Sequence, residues 1–295
     1  MSRLQNIKLT FKSYLVMSFC FLLISCDKSQ ESNPLIDIEP EVKDYKLPNI
    51  DLSNWKVTLP IGDPIEVSPP EIKNYATNEV LKPYMYNDSV AGALVFYATP
   101  GATTANTSYS RSELREQMVS GSNSINWTFA QGGNMRGTLS MGAVTKDVKG
   151  DYHKVIIMQI HGRLSNAQRD LIGAKDNNGP PVLKIYWEKG KVKVATKKLK
   201  DPNASELEIL DEDAWTDQSR FFSQSVDFDR FTLEVNVTNG VMKVTLNDLE
   251  TFTYDDDNMK RWGVFENYFK AGNYLNTLDV GASAKVNYFD LKVKH

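Results

Sequence analysis

The stretch Phe231-Thr-Leu-Glu-Val-Asn-Val-Thr-Asn-Gly240-Val-Met-Lys-Val-Thr-Leu246 decides the fold class, because apolar and polar residues alternate on both sides of one turn. Alternation with a period of two is typical of a half-buried β-strand. Asn239-Gly240 is a preferred pair for a type I′ turn, whose two central residues both need positive φ. The stretch therefore predicts an antiparallel β-hairpin.

The same kind of pattern continues on both sides of this hairpin. Val182–Trp187 and Lys191–Ala195 predict a second hairpin, while helical periodicity is scarce and no internal repeat is visible. We therefore expect an all-β domain over residues 48–295, built as an antiparallel two-sheet jelly-roll sandwich. Further strands are predicted at Leu94–Ala98, Ser110–Met118, Arg136–Val144, Lys154–His161, Tyr268–Asn276 and Val286–Val293.

The composition excludes several classes of protein. The chain has 295 residues, 41% of them hydrophobic, with only 2 cysteines, so it is neither collagen-like nor a disulfide-stapled miniprotein. Its 34 basic and 37 acidic residues give a formal net charge of -3. A polyanion would therefore need a local basic patch, and no nucleic-acid-binding motif is present.

The first 25 residues predict an export signal. They carry three basic residues and no acid before an apolar run at 14–24, which is shorter than the roughly 20 residues of a membrane-spanning helix. Leu23-Ile24-Ser25-Cys26 resembles a bacterial lipobox, which implies cleavage before Cys26 and lipidation of that residue. We expect an exported lipoprotein, anchored in a membrane and facing the periplasm or the cell surface. An ordinary signal with an incidental Cys26 is the alternative.

Residues 26–47 predict a tether between the anchor and the domain. They contain six acidic residues, three lysines and two prolines, with little apolar periodicity. With one cysteine in the signal and one lipidated, the exported domain would have no disulfide. Its stability would then depend on a large core.

The strand Arg111-Ser-Glu-Leu-Arg-Glu-Gln117 predicts one charged face. Strand alternation places Arg111, Glu113, Arg115 and Gln117 together. Two guanidinium groups separated by a carboxylate suit recognition of a planar anionic group. A solvated outer face with cross-strand ion pairs is the structural alternative.

Two further strands carry candidate groups. In Lys154–His161, alternation places Gln159 and His161 on one face with Val155 and Ile157. His161 is a candidate for proton transfer, although a lone histidine is more often structural. In Tyr268–Asn276, one face would carry Tyr268, Lys270, Gly272, Tyr274 and Asn276, with Gly272 permitting a close approach or marking a bulge.

Together these three strands resemble the alginate lyases of polysaccharide lyase family 7, whose signatures are R(S/T)ELR, Q(I/V)H and YFKAGxYxQ. The stretches Asp51–Pro60 and Val286–Val293 are also similar to that family, so the resemblance covers residues 48–295. The chain departs from the family pattern at Asn276, where glutamine is usual. This departure puts one amide contact to the substrate in doubt.

The resemblance implies a concanavalin-like jelly roll with a concave substrate groove, and a monomer that cleaves alginate or a related polyuronate by β-elimination without a metal or cofactor. Arg111 or Arg115 and Gln159 would neutralise the C6 carboxylate. His161 and Tyr274 would handle the C5 proton and the O4 leaving oxygen. By the same resemblance, Arg115, Gln159, His161 and Tyr274 form the catalytic set, and Arg111, Glu113, Tyr268, Lys270 and Asn276 contact the substrate.

Several alternatives stay open at the level of sequence. A lectin-like jelly roll could bind the same sugar without cutting it, and a glycoside hydrolase would need two carboxylates facing the scissile bond. Isoleucine in Gln159-Ile160-His161 favours guluronate-containing blocks by resemblance. The segment 201–224 is predicted to be an insertion that caps one end of the groove, which would influence endolytic or exolytic action.

Overall fold

The computed structural model of the protein describes residues 45, 47, 49–104 and 107–295. The predicted signal segment, Cys26 and most of the predicted tether lie outside the described residues. No helix within the described part is long and apolar enough to cross a membrane.

Almost all of the regular secondary structure in the described part of the chain is β-strand. In chain order, the strands are β1 (Trp55–Thr58), β2 (Glu66–Val67), β3 (Met85–Asp88), β4 (Ala93–Ala98), β5 (Arg111–Glu116), β6 (Trp127–Thr128), β7 (Gly133–Val144), β8 (Val155–Arg163), β9 (Asn178–Glu188), β10 (Lys191–Leu199), β11 (Trp215–Ser225), β12 (Phe231–Thr238), β13 (Val241–Leu246), β14 (Glu250–Tyr254), β15 (Glu266–Leu275) and β16 (Ala284–Lys294). Two short helices accompany them, α1 (Asn166–Ile172) and α2 (Asp257–Trp262).

Within the described residues these strands form two antiparallel sheets. The nine-stranded sheet has the order β11-β10-β9-β8-β15-β5-β1-β2, with β6 paired to β15. The seven-stranded sheet has the order β14-β13-β12-β7-β16-β4-β3. Neighbours in space are often distant in sequence, as for β5 between β15 and β1. The predicted all-β jelly-roll sandwich is confirmed.

The two predicted hairpins are present, with their turns at the predicted residues. β12 and β13 pair from Leu233 with Leu246 to Thr238 with Val241. Asn239 and Gly240 have φ values of 50° and 77°, as a type I′ turn requires. Every strand predicted from the pattern is present, with ends shifted by a few residues.

The core lies between the sheets and includes buried hydrogen bonds that join them. Trp127, Trp187 and Trp262 are fully buried. Tyr288 in the seven-stranded sheet donates its hydroxyl to the carbonyl of Ile157 in the nine-stranded sheet at 2.5 Å. Such buried bonds fix the distance between the sheets, because leaving either partner unpaired in the core is costly.

The prediction for segment 201–224 is wrong in part, because its second half is a strand. β11 pairs with β10 from Leu199 and Trp215 onwards, and forms one edge of the nine-stranded sheet. The pattern hid this strand because an edge strand has few buried positions to mark it. Only Trp215 and Phe222 of β11 are buried.

Candidate active site

A groove crosses the strands of the nine-stranded sheet on the face directed away from the core. It consists of two clefts of about 420 Å³ and 240 Å³. Both are lined by Thr107, Arg111, His161, Asn178 and Lys270. Eight of the nine predicted groove residues line one or both clefts: Arg111, Arg115, Gln159, His161, Tyr268, Lys270, Tyr274 and Asn276. The remaining residue, Glu113, lies beneath them with 1% exposure.

Strand β5 supplies the charged floor of this groove. It lies between β15 and β1, so all six of its residues are buried. The solvated outer face considered from the sequence is therefore excluded. Alternation turns Arg111, Glu113 and Arg115 towards the groove and places Leu114 in the core cluster.

Glu113 contacts three hydrogen-bond donors of the groove. Its Oε1 accepts a hydrogen bond from Nε2 of Gln159 at 2.6 Å, and its Oε2 lies 2.5 Å from Nζ of Lys270. Arg111 Nη1 lies 3.4 Å from the same Oε2. The carboxylate orients three neighbouring donors, and a direct contact of Glu113 with substrate stays a prediction.

The two arginines of β5 differ in how many of their donors are occupied. Arg115 donates to the carbonyl of Glu116 at 2.5 Å, to the carbonyl of Asn123 at 3.0 Å and to Oδ1 of Asn126 at 2.9 Å. Among the described residues, Arg111 makes one long hydrogen bond, to Glu113, at 3.4 Å. A guanidinium has five N–H donors, so Arg111 keeps more of them for a ligand.

His161 is held as a neutral imidazole. Burial, followed by the positive charge of Lys270, lowers its pKa to about 3. Its Nδ1 lies 3.0 Å from the carbonyl oxygen of Gly162, and only a protonated nitrogen can donate to that oxygen. This contact assigns the proton to Nδ1 and leaves a lone pair on Nε2. The ring stacks on Tyr268, with centroids 5.3 Å apart and planes 12° apart.

Tyr274 carries a protonated phenol beside a guanidinium. Arg111 Cζ lies 4.6 Å from the centre of its ring. Burial raises the pKa of Tyr274 and outweighs the opposing effect of Arg111. A protonated phenol can act as a proton donor. The pKa of Tyr268 is also raised, again mainly by burial.

A bulge changes the predicted face of β8. The register between β8 and β9 shifts between Ile156 and Met158. Ile157 and Met158 both belong to the main core, whereas Ile156 packs in a small cluster with Tyr186 and Tyr274. The prediction that Ile157 shares the face of Gln159 is wrong, because the extra residue reverses the alternation before that point.

Three cationic residues of the groove were not predicted. Lys56 on β1, 7% exposed, pairs with Glu66 at 2.6 Å. Arg163 pairs with Glu266 at 2.5 Å, and Lys184 pairs with Asp217 at 2.7 Å. The sequence signal for Lys56 is a lysine inside the apolar strand Trp55–Thr58, which favours a buried or functional cation.

Asn276 and Ile160 bear on substrate preference. Asn276 lines the smaller cleft directly after β15, and its backbone amide donates to the carbonyl of Lys154 at 2.9 Å. Ile160 is fully buried in the core cluster. An effect of Ile160 on substrate choice would therefore have to pass through the neighbouring Gln159 and His161.

Among the described residues, no group of three or more histidine, cysteine, aspartate or glutamate side chains could hold a metal ion.

Known proteins match this chain at the levels of family and structure. Residues 50–295 match the family model described as alginate lyase. Alginate lyase A1-II′, a member of polysaccharide lyase family 7, is 31% identical, with a TM-score of 0.67 over 84% of this chain and 96% of its own. No curated protein sequence matches the chain.

Two variants of the same lyase carry ligands in their structures. A tyrosine-to-phenylalanine variant in complex with product (GGG) is 30% identical, with a TM-score of 0.67 over 85% of this chain and 100% of its own. A variant with an additional histidine-to-asparagine change, in complex with substrate (GGMG), is 29% identical, with a TM-score of 0.65 over 84% of this chain and 94% of its own.

Proposed function

The chain belongs to the alginate lyase family, and we propose that it cleaves alginate by β-elimination in the groove, with His161 as the base and Tyr274 as the acid. The observation that carries these roles is the neutral His161 beside buried cationic and amide donors. The relative with both a histidine and a tyrosine changed, solved with substrate, supports the choice of residue types.

The difficulty of the reaction lies in the charge that develops. The C5 proton lies next to an ionised carboxylate, so its removal places a second negative charge on the same group. Arg111, Lys270 and Gln159 surround the space where that carboxylate would lie. Preorganised donors of this kind contribute about 2.7 to 4 kcal/mol each in comparable oxyanion sites. Arg111 is the first candidate for a direct contact, because most of its donors have no partner among the described residues.

Proton transfer then follows from the two protonation states. Nε2 of His161 takes the C5 proton, the C4–O4 bond breaks, and a double bond forms between C4 and C5. The phenol of Tyr274 gives its proton to O4, which becomes a hydroxyl on the leaving chain. A neutral imidazole and a neutral phenol are the forms that this division of roles needs, and burial favours both.

The activity is tested on residues 48–295, incubated with separated alginate blocks in the presence of a chelator. We expect ultraviolet absorbance from new unsaturated uronate ends, with faster release from guluronate-containing blocks. The matched control is Tyr274→Phe, which keeps the ring. Products with saturated non-reducing ends would show hydrolysis, and binding without new ends would show a lectin.

We also propose that the full chain is exported and lipidated on Cys26, which supplies the membrane anchor. This proposal depends on the apolar run at 14–24 and on Leu23-Ile24-Ser25-Cys26. Cys26→Ser should remove incorporation of a labelled fatty acid and move the protein from the membrane fraction to the soluble exported fraction. An unlabelled wild-type protein would contradict the anchor.

A further inference from the structure

The two sheets leave an open seam where their edge strands meet, away from the groove. β11 is the last strand of the nine-stranded sheet, and β14 is the last strand of the seven-stranded sheet. Phe222 and Phe252 stack across this seam with ring centroids 4.2 Å apart. A polar cleft of about 250 Å³ opens beside them, lined by Thr196, Gln218, Ser219, Arg220, Thr253 and Tyr254.

Arg220 is held in this cleft without an acidic partner. Its Cζ lies 3.8 Å above the centre of the Phe252 ring and 4.7 Å from that of Tyr254. Its Nε donates to the hydroxyl of Tyr254 at 3.2 Å. Among the described residues, no carboxylate forms an ion pair with Arg220. Its four other N–H donors are free of protein partners in the described part of the chain.

Thr196 provides a second, independent sign of a missing ligand. The residue is 1% exposed, and its Oγ1 has no hydrogen-bond partner among the described residues. A buried hydroxyl without a partner is costly unless a ligand or water satisfies it. Thr196 and Arg220 line the same cleft, so a single ligand could contact both residues.

We propose that this seam is a second binding site, separate from the groove, which takes the carboxylate and hydroxyls of one uronate unit. The free guanidinium fits a carboxylate, and Thr196 and Gln218 fit sugar hydroxyls. A volume of about 250 Å³ lies just below the range for drug-sized ligands and suits a single sugar.

The path of the groove explains how a polymer reaches the seam. Groove residues come in turn from β1, β5, β15, β8 and β9, so a chain lying in the groove crosses the strands. At the far end, Lys184 and Lys197 hold Asp217 on the groove face of β11 at 2.7 and 2.9 Å. A polymer that continues past Asp217 passes over the edge of β11, and the seam lies on the other side of that strand.

The ligand assignment rests on the proposed function, whereas the anion site itself does not. The test therefore uses sodium glucuronate, a single uronic acid without a 4-linked leaving group, which the wild-type protein cannot cleave. The readouts are the Nε–Hε resonance of Arg220 and the backbone amide resonance of Ser219. Arg230 is the matched internal control, because it is exposed and its Cζ lies 3.5 Å from the centre of the Phe289 ring.

We expect a saturable shift at Arg220 and Ser219 with glucuronate, a much smaller one with glucose, and none at Arg230. Arg220→Gln and Thr196→Val should each weaken binding at least fivefold, and Arg230→Gln should leave it unchanged. Thr196→Val preserves the shape of the side chain, so it keeps the test decisive if Arg220→Gln does not fold.

Two results would overturn the site. One is an equal response of Arg220 and Arg230, or equal shifts with sulfate and glucuronate, because either would indicate general charge screening. The other is unchanged affinity in folded Thr196→Val. Cleavage of alginate is measured on the same preparations. Binding at the seam without cleavage would contradict only the proposed function. Cleavage without binding at the seam would contradict only the second site.

Discussion

His161 and His295 have pKa values shifted in opposite directions. Burial lowers the pKa of His161 to about 3. Burial also acts against the charge of His295, but the hydrogen bond and ion pair with Glu116, 2.6 Å away, outweigh it and raise that pKa. The first shift opposes folding at low pH, and the second stabilises the fold at low pH.

The two histidines therefore predict opposite pH dependences. Unfolded His161 takes up a proton below about pH 6.5, whereas the folded form does not until about pH 3, so its contribution to stability falls as the pH falls through that window. The loss is at most about 1.4 kcal/mol per pH unit. Urea unfolding from about pH 7 to pH 4.5 should show a shallower loss in His161→Asn than in the wild type.

His295→Gln supplies the comparison at higher pH. The stability from its pairing with Glu116 is fully present below about pH 6.5 and is lost as the pH rises through the folded-state pKa. The wild-type protein should therefore lose stability above about pH 6.5, and His295→Gln should not. The same pH slope in all three proteins would contradict both assignments.

Tyr274→Phe separates proton transfer from binding. The change keeps the ring that Arg111 covers and removes the phenolic proton, so kcat should fall by at least about 100-fold while KM changes little. Tyr268→Phe is the matched control and should have a smaller effect. A folded Tyr274→Phe protein with near wild-type kcat would make Tyr268 the next candidate for the acid.

Arg111 and Arg115 should respond differently to replacement by lysine. Arg111 has donors without a partner in the described part of the chain, so Arg111→Lys should lose planar contacts with the substrate. We expect KM to rise and kcat to fall. Arg115 is bonded to Glu116, Asn123 and Asn126, so Arg115→Lys should mainly lower the melting temperature. Steady-state kinetics and thermal unfolding on the same samples test this difference. If Arg115→Lys changes the kinetics and Arg111→Lys mainly lowers the melting temperature, Arg115 makes the main contact with the substrate.

At the scale of the element, Gly272 brings β15 close to β5. Its φ is 137°, and a Cβ there would meet the carbonyl oxygen of Ser112 at 2.7 Å and Cα of Glu113 at 2.9 Å. Gly272→Ala should therefore push β15 away from the strand that carries Arg111. We expect a loss of about 1 to 3 kcal/mol in the free energy of unfolding, together with reduced activity.

Gly240→Ala is the matched control for Gly272→Ala. Gly240 also has positive φ, at 77°, but a Cβ added there would have no neighbouring atom within 4 Å. It should show only the cost of backbone strain and keep full activity. If the two variants lose equal stability and equal activity, crowding between β15 and β5 is not the reason that position 272 requires glycine.

Elements with strict alternation could be predicted from sequence, and elements with irregular pairing could not. β12 and β13 alternate throughout, and the charged face of β5 follows from the same rule. The bulge at Ile157 reversed the assigned face for the first half of β8, because an inserted residue leaves no mark in an apolar run. β11 was missed because most of its residues are exposed.

The site residues divide in the same way. The resemblance named the side chains of β5, β8 and β15, and these strands lie side by side in the sheet. Their protonation states could not be predicted, because burial decides them and the sequence does not show it. Lys56 and Lys184 were missed because their strands, β1 and β9, join the groove only through long-range pairing with β5 and β8.

At the scale of the whole molecule, charge is distributed unevenly. The chain has a formal net charge of -3, yet Lys56, Arg111, Arg163 and Lys270 line the larger cleft. The groove therefore offers a polyanionic substrate a local attraction that the net charge of the chain does not provide. Attraction between solvent-exposed charges is screened over about 8 Å at physiological salt and over about 3 Å at 1 M.

This distribution predicts a salt effect on binding rather than on chemistry. Raising sodium chloride from about 0.05 M to about 0.5 M should raise KM for polymeric alginate several-fold, because screening weakens attraction to the partly exposed groove cations. kcat should change by less than about twofold, since Glu113 and Lys270 are buried and buried pairs are screened far less. Lys184→Gln, which removes a cation at the far end of the groove, should show a weaker dependence of KM on salt. Arg230→Gln removes an exposed cation elsewhere and should match the wild type. A salt effect confined to kcat, or equal slopes in Lys184→Gln and the wild type, would show that the groove cations do not attract the polymer from solution.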